Sequence, residues 1–257
     1  VVSKEERMRK LIGVLVVSSI GLTACPPAPP TPPPSGNVRF VHTAADAGTV
    51  DIFLDKTTKL NAAGITYGGA HPANNATPNY ASITPGAHTI DVCVTGTLVC
   101  PIKDKALDVV SGGNQTVLIV GTADTNDDTG TNARPLELQV LTDTNTPSAT
   151  ATNFKLRIVH AAAVPSASKV DVFITTGTED ITGVFPNISN FAYQAFTASY
   201  LDAAAGGYRV LATATGTKTP ILINSGLLAL AGAKVYTAIA VTPNATIPSG
   251  AILLTDK

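Results

Sequence analysis

The sequence predicts an all-β protein, two tandem immunoglobulin-like antiparallel β-sandwiches that follow a lipoprotein signal and a proline-rich tether. Three observations predict it. Short β-branched runs are broken by Gly, Pro, Asn or Asp signals roughly every ten residues, which is the spacing of a sandwich and not of alternating βαβ units. Helical periodicity is hard to find past the N-terminal apolar run. The chain also repeats itself, with Asp51 and Asp171, and likewise Tyr80 and Tyr200, 120 positions apart.

The first element is an address. Met8-Arg9-Lys10 precedes an apolar run from Leu11 to Leu22, closed by Thr23-Ala24-Cys25. A positive start, a dozen apolar residues and small residues before a cut make a secretory signal over 1–24, with translation starting at Met8. The run is too short for a comfortable span, which needs roughly 20 apolar residues. Leu22-Thr23-Ala24-Cys25 resembles the bacterial lipobox, so Cys25 is the expected lipidation site and membrane lipid the first expected partner. Residues 25–37 hold Pro26-Pro27-Ala28-Pro29-Pro30-Thr31-Pro32-Pro33-Pro34, an extended spacer that donates no hydrogen-bond ladder.

The first sandwich is expected over 38–143 and the second over 154–257, joined by a Thr, Asn and Ser linker over 144–153. Val38-Arg39-Phe40-Val41-His42 matches Leu156-Arg157-Ile158-Val159-His160, and Val50-Asp51-Ile52-Phe53 matches Val170-Asp171-Val172-Phe173. Tyr80 and Pro85-Gly86 match Tyr200 and Gly206-Gly207. Asn114 to Val120 is aligned with Ala233 to Ile239, and Leu138 to Asp143 with Ala251 to Asp256. Leu227 to Ala233, like Val109 to Gly113, is assigned to a loop. Of the three cysteines, Cys93 and Cys100 flank an alternating stretch. A two-residue turn with Gly96 first puts them opposite each other as a hairpin disulfide.

The Val-Arg-Phe-Val-His and Val-Asp-Ile-Phe segments, the tyrosine followed by a glycine turn and the closing strand ending in Asp together resemble the bacterial family DUF4397, a domain of unknown function. The resemblance covers both repeats. It implies a secreted or lipid-anchored envelope protein, often with the domain in tandem, and it implies no catalytic residues.

Composition excludes some classes. A net charge of -1 excludes nucleic-acid binding that rests on bulk charge, and no tryptophan with 5% aromatics leaves few stacking platforms. Two metal readings stay open. Copper, with surface redox chemistry of the superoxide dismutase type, would draw on His42, His71 and His88, although no His-x-His pair is present. Calcium, with an adhesive role, would draw on Asp124, Asn126 and Asp128, although the glycine falls one place late and no closing glutamate follows. His42 and His160, and Asp51 and Asp171, are repeat equivalents and fit structural roles. Arg39 with Asp51 and Arg157 with Asp171 are the expected structural ion pairs or turn contacts. With no nucleophile motif, the expected function is that of a lipid-anchored envelope protein, and an enzymatic activity is not the expectation. It would act as a structural, binding or scaffolding module among other envelope or surface-layer proteins, at the outer membrane or cell surface.

Overall fold

In the computed structural model, residues 34–123, 134–163 and 168–257 are described. The signal segment, Cys25 and the Asp124, Asn126 and Asp128 run lie outside the described residues. One sheet of the first half holds β1 (Gly36–His42), β4 (Ala70–His71), β5 (Ala81–Ile83), β8 (Asn114–Val120) and β9 (Glu137–Thr142). Its other sheet holds β2 (Val50–Leu54), β3 (Thr58–Lys59), β6 (Gly86–Val94) and β7 (Ile102–Val109). The second half repeats the plan. There β10 (Asn153–His160), β13 (Leu201–Ala204), β17 (Val235–Ala240) and β18 (Ala251–Thr255) face β11 (Lys169–Thr175), β12 (Ile188–Ala192), β14 (Gly206–Ala214) and β15 (Ile221–Asn224). A short β16 (Leu228–Leu230) also pairs with β14. The described residues contain no helix, and the chain is all-β with two sandwiches. Pairings between these strands are antiparallel except β1 with β8 and β10 with β17, which are parallel.

Each sandwich has its own core. Val38, Phe40, Ile52, Ile90, Val117 and Ile119 close the first, and Phe154, Leu156, Val172, Phe191 and Tyr236 belong to the second. A third buried cluster joins them. Val41, Leu118, Val120 and Leu141 from the first sandwich pack with Val159, Ile239, Ile252 and Leu254 from the second. The sheets therefore stack as outer, inner, inner, outer. Burying each such side chain is worth about 1.5–3 kcal/mol, so opening the joint is costly. The two sandwiches behave as one block, not as separate beads.

Burial follows this order. In β7 only Ile102, Leu107 and Val109 are buried, the alternation of a sheet with one wet face. In β8 every residue from Gln115 to Val120 is buried, because the inner sheet is covered on both sides.

Three local expectations are corrected. The β1–β8 ladder sets Arg39 beside Thr116, and the β10–β17 ladder sets Arg157 beside Thr237. Thr116 therefore corresponds to Thr237, two places from the sequence alignment. A slip of two keeps every side chain on its face, so alternation alone does not detect it. Part of the Leu227 to Ala233 stretch is strand, since Leu228, Ala229 and Leu230 pair with Tyr208, Gly207 and Gly206. The β6–β7 turn is centred one residue early. The Thr97 amide donates to the Val94 carbonyl (3.1 Å), which puts Gly96, at φ 76°, third in the turn. Val94 still bonds Val99 across the hairpin, and Cys93 and Cys100 are joined by a disulfide.

Candidate functional site

Arg39 and Arg157 sit in the middle of apolar strands, on the face that each inner sheet turns toward the other sandwich. Both are essentially fully buried. A guanidinium in such a place must find a counter-charge and hydrogen-bond acceptors. Each finds its counter-charge on the other sandwich. Arg39 Nη2 donates to Asp256 Oδ1 (2.6 Å), and Arg157 Nη2 donates to Asp143 Oδ1 (2.5 Å).

Two threonines close the circuit. Arg39 Nη2 also donates to Thr116 Oγ1 (2.9 Å), whose hydroxyl donates to Asp143 Oδ2 (2.5 Å). In the same way Arg157 Nη2 donates to Thr237 Oγ1 (3.0 Å), and that hydroxyl donates to Asp256 Oδ2 (2.6 Å). Arg39, Thr116, Asp143, Arg157, Thr237 and Asp256 thus form a closed ring, three side chains from each sandwich. Each arginine reaches further across the joint, Arg39 to the Thr255 carbonyl (3.3 Å) and Arg157 to the Thr142 carbonyl (3.0 Å).

Aromatic faces cover the cations. Arg39 lies 4.8 Å from the centre of the Tyr80 ring, and Arg157 lies 5.4 Å from that of Tyr200. The Tyr80 hydroxyl donates to Asp143 Oδ2 (2.9 Å). Burial pushes both phenols above their usual range. Burial also pushes the Asp256 carboxyl up, against the pull of Arg39. For Arg157, burial works to lower the guanidinium, but Asp143, Tyr200 and Asp256 together outweigh it and the net direction is upward. Two cations meet two carboxylates, so the ring is balanced in charge, and its hydrogen bonds stay within the joint. Such a ring can hold two layers together. It offers no open valence to a metal and no nucleophile.

The carboxylates expected beside these arginines are elsewhere. Asp51 accepts from Asn61 Nδ2 (3.2 Å) and Thr95 Oγ1 (3.1 Å) and pairs with Lys59 (2.8 Å). Desolvation would raise its carboxyl, but those three contacts outweigh it and hold it below the usual carboxylate range. Asp171 accepts from the amides of Asn190 (2.9 Å) and Gly216 (2.8 Å). Asp51 and Asp171 thus hold turns and neighbouring strands, the second of the two expected roles, and no Arg39–Asp51 or Arg157–Asp171 ion pair forms. The missing signal lay in plain view, because an arginine recurring inside an apolar run must be answered from another layer. Asp143 and Asp256, repeat equivalents at the ends of the closing strands, are that answer.

The copper ligands do not converge. His42 is fully buried, with Nε2 donating to the Gly48 carbonyl (2.6 Å) and Nδ1 accepting from the Ala44 amide (3.4 Å). Burial lowers its pKa, so the ring is held neutral. His160 repeats the pattern, accepting from the Ala162 amide (3.4 Å). His71 stands beside Phe40 on β4, and burial lowers it as well. His88 is in the outer sheet, bonded to Asp55 and to the Thr84 carbonyl (2.8 Å each). The Asp55 contact raises its pKa. Among the described residues no cluster of three or more His, Cys, Asp or Glu side chains is arranged to hold a metal ion. The copper reading from His42, His71 and His88 is set aside for that reason. The calcium candidates Asp124, Asn126 and Asp128 and the lipidation candidate Cys25 lie outside the described residues.

The DUF4397 profile, a domain of unknown function, matches residues 36–173, more than half of the chain. The chain belongs to the DUF4397 family. The DUF4397 match runs through the first sandwich and on through β10 and most of β11. It takes in Arg39, Thr116, Asp143 and Arg157 and stops short of Thr237 and Asp256. No curated protein matches the chain.

Proposed function

We propose that this protein is a non-catalytic structural or scaffolding module of the bacterial cell envelope, built from two tandem DUF4397 domains. In this reading Cys25 is lipidated after removal of 1–24, the tether runs from 25 up to β1, which begins at Gly36, and the double sandwich is the part offered to other envelope proteins. The supporting observation is the closed ring between the inner sheets. It commits the most unusual buried charges of the chain to holding one rigid block. A block of this kind suits a load-bearing or binding role, because a rigid surface loses little freedom when it meets a partner. Exposed apolar side chains offer contact points, above all Phe185 (88% exposed) and Leu98 (96% exposed).

The test is made on the whole chain in a bacterial envelope. Labelling with an alkyne fatty acid should mark the wild type and not Cys25→Ser, and the variant should leave the membrane fraction. A photo-crosslinker placed at 185 should give one discrete adduct of higher mass. Equal labelling of wild type and variant removes the anchoring part of the proposal. A wild-type chain that sediments as a monomer after mild solubilisation, with no adduct, removes the scaffold part.

A further inference from the structure

The second sandwich contains an apolar cavity of about 110 Å³ between its two sheets. Its origin is visible in the strand registers. In the first sandwich Phe40 sits beside Val117, His42 beside Ile119 and Ile52 beside Val92. The same places in the second hold Ile158 beside Ala238, His160 beside Ala240 and Val172 beside Ala212. Every change among these apolar residues removes one to three carbons. Val210 for Ile90 and Ala251 for Leu138 continue the trend. Phe191 for Ile65 and Leu253 for Val140 run against it and restore only part of the loss. All of these second-half residues line the cavity.

The cavity also has a mouth. In the first sandwich β7 is a single strand along β6, with a register shift between Ile90 and Val92, and packs on β9, closing that side. In the second the corresponding edge is split into β15 and β16 by Ser225-Gly226-Leu227, with Gly226 at φ 70°. Half-buried Ser225, Leu228, Ala251 and Leu253 form the rim. The Ser225 hydroxyl is already engaged, accepting from the Val210 amide (2.9 Å) and donating to the Gly226 carbonyl (2.8 Å). An occupant therefore gains from burial and not from hydrogen bonds.

We infer that the second sandwich is a binding site for a small apolar molecule, a single ring or a chain of about six carbons, entering at the break between β15 and β16 beside β18. An engineered apolar cavity of roughly 150 Å³ in another protein stays dry and takes up benzene or xenon, which fixes the size class. The site is too small for ligands that fill pockets of about 300 Å³ or more. This inference is independent of the envelope role.

Benzene is the probe, added to the full-length chain. Methyl NMR should show saturable shifts at Ala212, Ala238 and Ala240 and none at Val92, Val117 and Ile119. Giving the second sandwich the residues of the first, Ala238→Val with Ala240→Ile, should weaken binding at least tenfold. Ala212→Val alone should weaken it in the same direction. Absence of shifts in the wild type near benzene saturation overturns the proposal without any variant. Equal shifts in both sandwiches, or unchanged affinity in a folded variant with the cavity filled, overturn it too.

Discussion

The two sandwiches share one frame, yet they differ most where each faces itself and least where they face each other. Across the joint most pairs keep their character, Val41 and Val159, Leu118 and Ile239, Val120 and Val241, Leu141 and Leu254, with the ring residues identical in type, and the exception is Ile252, which stands where the first sandwich has Gln139. Inside the sandwiches Phe40 has become Ile158, Val117 has become Ala238 and Ile119 has become Ala240. A core facing only its own sheets can trade size with its neighbours. A surface that meets its counterpart at the joint is bound by both halves at once. The edges differ as well. The first hairpin is closed by the Cys93–Cys100 disulfide, while Thr213, in the place of Cys93, closes the second with a hydrogen bond to the Thr217 carbonyl (2.7 Å).

Breaking the shared surface should cost most. Arg157→Met strands Asp143 in a buried site, and the unfolding free energy from urea titration should fall by about 3–5 kcal/mol. Replacing a whole pair, Arg39→Met with Asp256→Leu, should cost much less than either change alone. A small loss in Arg157→Met would mean that apolar packing alone holds the joint. Next comes the contrast of cores. Ile119→Ala, which copies the second sandwich into the first, should lose about 2–5 kcal/mol, because the packed side has no cavity to absorb the change. The reverse change, Ala240→Ile, should be neutral or stabilising, and equal losses from both would erase the contrast. Removing the disulfide with Cys93→Ala and Cys100→Ala should cost about 2 kcal/mol, as expected for a short closed loop. The smallest effect is in pH. His42 has a folded pKa below its ordinary 6.5. Its contribution is complete above that value and is lost as the pH falls through it. His88, raised by Asp55, has the opposite sign, with a contribution present at low pH and lost as the pH rises through its raised value. Urea midpoints between pH 8 and 5 should fall less steeply for His42→Gln than for wild type.

The sandwiches, the repeat and the disulfide were legible because each rests on local pattern, in alternation, turn residues and spacing. The stacking of the two inner sheets was legible in part. The unbroken Val117-Leu118-Ile119-Val120 run differs from the alternating Ile102 to Val109 strand, and that difference marks a sheet covered on both faces. The partner of Arg39 was not legible, since Asp256 lies 217 positions away and only the fold brings it near. Asp51, nearer in sequence, is held instead by Lys59, Asn61 and Thr95. The histidines suggested chemistry by residue type, whereas the structure ties His42 and His160 to backbone at strand ends and engages His88 with Asp55.

The ring has one more consequence. Either sandwich alone contributes one arginine, one threonine and one aspartate, so two identical halves related by a twofold axis carry every group that the ring needs. The contact is thus isologous in kind, although it lies within a single chain. Covalent linkage through residues 144–153 replaces a concentration-dependent association with an effective concentration fixed by the connection. Dilution, which separates a weak dimer, leaves this joint intact.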